Sequence, residues 1–274
     1  GVARPAEHVA TMGGQDQRVL RELSEAIAGG LPVVLATVVD TKRSVPRHAG
    51  AKMLVYLDGR LTGTVGGGEM ESRVIEEAKT LFTTRRPRLL DYALVEPSRG
   101  DPGVCGGEVK IYLEPYMPAH TLVVVGAGHV GRAVVDLADW LGYQTVVIDD
   151  RPERLTEEEM PNAGTRLADS ITSALGGLDI TEDTSVAVVT RSVEKDVEAI
   201  PLLLQTPARY IGVMGSERRW REVTTRLEAH GLKTADLDRV QAPIGLDIHA
   251  ETLEEIAVSI LSEIIRARGA GPEG

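Results

Sequence analysis

The stretch TLVVVGAGHVGRAV, residues 121–134, constrains the fold more than any other part of this sequence. An apolar run ends in Gly126, Gly128 and Gly131, and a segment of helical character follows. A strand, a glycine turn and a helix in that order form the dinucleotide fingerprint. In it Gly126 permits the tight turn, Gly128 lets backbone approach a pyrophosphate, and Gly131 lets helix and strand pack closely. The helix N-terminus then offers its N–H groups to the anion. Asp149 ends the next apolar run, QTVVID, about twenty residues on, where a carboxylate accepts hydrogen bonds from ribose hydroxyls. Arg151 stands two residues later and suits a 2′-phosphate instead, so NAD and NADP both stay open. His129, inside the motif, either faces the cleft or caps the helix. The plainer alternative is a Rossmann unit whose site is vestigial or serves a pterin or another nucleotide.

Downstream the pattern alternates. Strand-like TSVAVVT and YIGVMG are separated by helical stretches at 197–204 and 217–230, as in a parallel sheet covered on both faces. A last helix over 253–268 has Ile256, Ile260 and Ile264 on one stripe and could pack on either half. Upstream, Val19, Leu20, Leu23 and Ile27 share a helix face, and three short apolar runs follow at 33–39, 52–57 and 61–65. Asp58 and Gly59 read as the turn of a hairpin. GGGEMESRVIEEAKTLF opens with three glycines and continues as a helix with Met70, Val74, Ala78 and Leu81 on one side. LLDYALV and EVKIYLEPY read as two further strands. A chain of 274 residues exceeds what one core usually serves, and EPYMPAH puts two prolines between the halves. The expected organisation is therefore a mixed α/β domain over 1–118 and a Rossmann-like doubly wound parallel-sheet domain over 119–274. The opening stretch through Gly14 and the closing GAGPEG read as frayed ends.

Charge limits the partners. Lys plus Arg is 30 and Asp plus Glu 41, a net charge of −11, so the averaged field repels nucleic acid and anionic membrane. An anionic ligand must then be held by local donors. No apolar run approaches the ~20 residues of a membrane span. The single cysteine fits a reducing compartment, which makes the cytoplasm the expectation.

Three clusters in the first half carry candidate chemistry. Gly66, Gly67 and Gly68 sit at a strand-to-helix transition, where backbone N–H groups could converge on a phosphate; Glu69 follows directly. The bland alternative is a tight turn with Glu69 and Glu71 complementing the helix dipole, but a third glycine then adds entropy cost with no folding return. Cys105, flanked by Gly106 and Gly107 in PGVCGGEV, is expected in an open loop among backbone donors that favour thiolate. A small buried hydrophobe is its alternative. Arg47 and Lys52, with Lys42, Arg43 and His48, form the best local source of positive charge; a solvated loop explains such a run equally well. No Cys or His partners stand at zinc-ligand spacing.

The blocks ATVVDTKRSVPRHAGAKMLV, GTVGGGEME, CGG, VVVGAGHVGRAV, VVIDDRPE, RYIGVMGSERR and PIGLDIHAETLEEIAVSILSEI occur in that order. Together they resemble the xanthine dehydrogenase accessory proteins, the XdhC/CoxI family, over nearly the whole chain. The resemblance implies an accessory role. Members bind the molybdenum cofactor, a molybdopterin, as cargo, assist replacement of a terminal oxo ligand by sulfur, and deliver the cofactor to xanthine dehydrogenase or a related molybdenum hydroxylase. A cysteine desulfurase is an implied partner, and homo-oligomers are left open. One departure is TRSVEKD, where Val193 stands near a family histidine, so no catalytic role is assigned there. Two rivals remain. One is an NAD(P)-dependent oxidoreductase, for which no Tyr-x-x-x-Lys or His-Asp set is visible; the other is a nucleotide-sensing module without chemistry. The chain also lacks the cysteine set of an iron–sulfur enzyme.

Overall fold

The computed structural model describes residues 14–42, 47–93 and 107–269, and the chain divides into two compact units, Gly1–Pro118 and Ala119–Gly274. Arg43, Cys105 and Gly106 lie outside the described residues.

The first unit runs α1 (Gly14–Ala28), β1 (Val33–Lys42), β2 (Lys52–Tyr56), β3 (Leu61–Gly63), α2 (Gly68–Thr84), β4 (Arg88–Ala93) and β5 (Glu108–Tyr116). Its sheet has the order β3-β2-β1-β5-β4, and every pair is antiparallel. Side chains alternate across a strand, and here both faces are covered. Val33 and Leu35 of β1 join Val19, Leu23 and Ala26 of α1 in one core cluster. Val34, Ala36 and Val38 join Met70, Val74, Ala78 and Leu81 of α2 in another. That is why VVLATVV reads as a continuous apolar run in an antiparallel sheet, where a one-sided sheet would alternate. The β2–β3 turn forms where expected, with Gly59 at φ 85° and the Asp58 carboxylate accepting from the Arg60 N–H at 2.9 Å.

The second unit runs β6 (Thr121–Val125), α3 (His129–Trp140), β7 (Gln144–Asp149), a 3-10 turn (Pro152–Arg154), β8 (Thr165–Ala168), α4 (Ile171–Gly176), β9 (Thr184–Val188) and α5 (Val193–Leu204). It continues with β10 (Tyr210–Val213), α6 (Glu217–Ala229), α7 (Thr234–Leu237), β11 (Val240–Gln241) and α8 (Leu253–Gly269). All six strands are parallel in the order β8-β7-β6-β9-β10-β11, which is the doubly wound Rossmann order. Val123 and Val125 face the cluster that contains Ile200, Leu203 and Val223, whereas Leu122 and Val124 face the one that contains Val134, Val135 and Ala138. The last helix packs here: Ala257, Ile260, Leu261 and Ile264 of α8 lie buried in the cluster built on α3.

Five elements differ from the sequence expectation. β8, β11, α4 and α7 carry no long apolar run, and β8 is only half buried at the sheet edge, so periodicity does not reveal it. Helix α5 starts at Val193, four residues earlier than its apolar pattern, because the Ser192 side chain caps it by accepting the Lys195 N–H.

Candidate functional site

In the second unit the β6–α3 turn opens at the switch point of the sheet, where chain order reverses between β6 and β9. Doubly wound sheets bind their ligands there, beyond the carboxyl ends of the strands. The three motif glycines meet three different demands. Gly126 has φ 115°, and a Cβ on it would come 3.1 Å from the Val189 carbonyl oxygen. A Cβ on Gly131 would lie 2.0 Å from the Gly126 carbonyl oxygen, so glycine alone lets α3 close on the strand. A Cβ on Gly128 would meet nothing within 4 Å. That position faces open space, as a group that lets a ligand approach the backbone should. Gly128 caps α3 without a side-chain hydrogen bond, so the first N–H groups of the helix stay available to a ligand. A dinucleotide pyrophosphate fits this turn. The cleft in front of it has a volume of about 410 Å³ and is lined by Gly126, Gly128, His129, Asp149, Asp150, Arg151, Arg154, Thr190, Arg191 and Lys195, among others. His129 is exposed at its rim.

Asp149 is brought to this cleft as expected, but its carboxylate is already engaged. Oδ2 accepts the Ala127 N–H at 2.7 Å and Nη2 of Arg151 at 2.8 Å; Oδ1 accepts the Arg151 N–H at 3.0 Å and its Nε at 2.8 Å. Burial by itself would raise the Asp149 carboxyl; the hydrogen bonds from Arg151 and Ala127 outweigh it and hold the group down at about 2. Lys195 pairs with Asp150 at 2.5 Å across the same cleft.

The strand β9 side of the cleft is fixed by a group the sequence reasoning missed. Asp196 is fully buried and accepts the Thr190 hydroxyl at 2.6 Å and Arg219 Nη2 at 2.6 Å, which ties the turn after β9 to α5 and α6. Burial pushes the Asp196 carboxyl up, against the hydrogen bonds from Thr190 and Arg219. The available signal was Ser192 followed by Glu194 and Asp196, a helix start placed earlier than apolar periodicity alone implies.

In the first unit, strand register gathers the other candidates at one end of the sheet. Thr37 of β1 opposes Lys52 of β2, Met53 opposes Gly63 of β3, and Glu108 of β5 opposes both Lys42 of β1 and Ala93 of β4. The chain segments bearing Arg47, Lys52, Gly66 to Gly68 and Gly107 therefore all leave or enter the sheet at that end. Gly107 is buried directly before β5. Arg47 is exposed and reaches Gln15 Oε1 at 3.4 Å, while the Lys52 ammonium donates to the Gly50 carbonyl at 3.1 Å.

The triple glycine needs a correction. Gly66, Gly67 and Gly68 have φ 144°, 85° and 65°, so the backbone requires glycine at each position, and the third is not without a folding role. The Gly66 N–H is also taken, donating to Thr64 Oγ1 at 3.2 Å, and the Thr64 hydroxyl in turn donates to the Glu71 carboxylate. Gly67 caps α2 without a side-chain bond, and Glu69 stands exposed in the first helical turn. Among the described residues no three His, Cys, Asp or Glu side chains could hold a metal ion, and no helix is long and apolar enough to cross a membrane.

A parallel sheet in this strand order, with a glycine turn open at its switch point, defines a two-unit α/β protein built on a dinucleotide-type Rossmann sheet. The chain belongs to the XdhC family: residues 122–264 match the XdhC Rossmann domain, and residues 26–93 match the XdhC and CoxI family. It is 36% identical over 245 residues to the Escherichia coli K12 protein called Uncharacterized protein YqeB, covering 89% of this chain and 45% of that one. The chain thus spans less than half the length of that relative. It is 25% identical over 279 residues to the molybdenum cofactor insertion chaperone PaoD of the same organism, covering 91% of this chain and 88% of PaoD. A crystal structure from Bacillus halodurans described as a xanthine dehydrogenase is 25% identical with a TM-score of 0.52, over 92% of this chain and 96% of that one.

Proposed function

We propose that this chain is a maturation chaperone that holds the molybdenum cofactor in its first unit and delivers it to xanthine dehydrogenase or a related molybdenum hydroxylase. The observation that carries this reading is the common sheet end at which the segments of Arg47, Lys52, Gly66 to Gly68 and Gly107 emerge. The similarity to a molybdenum cofactor insertion chaperone supports it. The donor set suits the cargo chemically. Arg47 and Lys52 complement a phosphate, and the exposed Glu69 carboxylate suits the amino-pyrimidinone edge of a pterin, which presents two N–H donors. Cys105, two residues before Gly107, supplies a soft thiolate for molybdenum or for a sulfur being transferred to it, with a cysteine desulfurase as sulfur source. The Rossmann unit takes a dinucleotide or another nucleotide, its pyrophosphate held on the N–H groups at the start of α3.

The test is cofactor stoichiometry after gel filtration, together with activation of a cofactor-free molybdenum hydroxylase, for the parent and Cys105→Ser. Serine is a poor thiolate substitute at neutral pH, so retention and activation should fall at least several-fold while the circular dichroism spectrum stays unchanged. A parent that retains no cofactor and activates nothing would sink the chaperone reading. Equal retention and activation by the mutant would remove Cys105 from the site.

A further inference from the structure

In a doubly wound sheet the adenosine ribose of a dinucleotide lies at the end of the second strand, where a free carboxylate receives its hydroxyls. The carboxylate at that place in this protein is not free. The Asp149 side chain is 2% exposed, and it accepts four hydrogen bonds, three of them from Arg151. A carboxylate has about four acceptor sites, so none remains for a ribose hydroxyl. The group presented to the cleft is the guanidinium. Arg151 spends Nε and one Nη2 hydrogen on Asp149, its remaining N–H groups are uncommitted among the described residues, and its side chain is 48% exposed.

The charge of the cleft points the same way. Arg151, Arg154, Arg191 and Lys195 line it against Asp149 and Asp150, although the chain as a whole carries −11. Asp149 and Asp150 are each matched by one cation, Arg154 sits 3.5 Å from Glu159, and Arg191 has no polar partner among the described residues. In the dinucleotide reading the N–H groups at the start of α3 take the pyrophosphate, so these cations are left for a further anionic group.

Resting on the reading of the cleft as a dinucleotide site, we infer that it selects a dinucleotide bearing a 2′-phosphate on the adenosine ribose, with Arg151 as the specificity-determining residue. The bidentate bond to Asp149 holds the guanidinium in place before the ligand arrives, which lowers the entropy cost of binding. An unphosphorylated ribose meets the opposite situation, because its hydroxyls reach the carboxylate only if the ion pair opens.

The experiment is titration calorimetry of the full chain with NADPH and NADH, and with adenosine 2′,5′-bisphosphate and 5′-AMP, for wild type, Arg151→Ala and Arg151→Gln. Wild type should bind NADPH at least about tenfold tighter than NADH, the scale expected of charge-assisted hydrogen bonds. Arg151→Ala should remove that preference and strengthen NADH binding, because it uncovers Asp149. Arg151→Gln keeps an N–H donor beside the carboxylate and stands in if the alanine variant misfolds; it should lose NADPH affinity alike. NADH binding as tightly as NADPH to wild type, or a substitution that weakens both equally, overturns the inference while the cleft remains a dinucleotide site. Binding of none of the four ligands overturns the inference and the dinucleotide reading together.

Discussion

At the residue scale, Asp149 shows how a motif position acquires a different partner from the one its spacing suggests. Its folded value of about 2 lies below the ordinary carboxylate value of 3.8, so the pair with Arg151 and the Ala127 N–H contributes stability that is fully present above about pH 4 to 5. That contribution is lost as pH falls through the folded value. Its upper bound is about 2 kcal/mol, trimmed by solvent because Arg151 is half exposed. The stability difference between wild type and Asp149→Asn, measured by urea unfolding, should therefore be constant from pH 7 to 5 and shrink as pH is lowered towards 2. A difference that does not change below pH 4 would mean that the carboxylate is not held down. The distance from Gly126 to Asp149 located this residue in the sequence, and Arg151 was visible beside it. Their mutual pairing was not, because spacing along a chain does not reveal which way two side chains turn.

At the scale of elements, the glycine fingerprint separates packing from ligand approach. A Cβ on Gly131 would overlap the Gly126 carbonyl at 2.0 Å, and neither backbone can yield without moving α3 off β6. Gly131→Ala should cost about 1–3 kcal/mol or more, the scale of overpacking, and lower the melting temperature by about 2–4 °C for each kcal/mol. Gly128→Ala should melt like wild type, since its φ is −84° and a Cβ there meets nothing. Gly128→Val should keep the fold and weaken dinucleotide binding by filling the approach to the pyrophosphate. Paired thermal melts and calorimetry check both; equal melting of the two alanine variants would show that α3 does not need the close approach. The long helices α2 and α8 were legible because burial on one face imposes a period on many residues, and β1 because burial on both faces leaves a continuous apolar run. The edge strand β8 was not, because four residues, two exposed and two half-buried, impose none.

At the scale of the molecule, each unit carries its own core. The clusters around Val34 and Val19 draw only on residues up to Tyr116, and those around Val123 and Leu122 only on residues from Leu122 onward. Residues 119–274 produced alone should accordingly melt in one cooperative transition and bind dinucleotide as the full chain does; a non-cooperative melt would show that this core is not self-sufficient. The sequence by itself determined the parallel Rossmann unit, the places of its glycines and the family, because these rest on periodicity and on backbone constraints that act within a few residues. Only the tertiary structure decided that Arg151 closes Asp149, that Asp196 holds Arg219, and that Arg47, Lys52, Gly66 to Gly68 and Gly107 share one sheet end. Those facts depend on strand register and side-chain direction between segments far apart in the chain, and hydrogen-bond geometry selects among partners that the order of residues leaves equivalent.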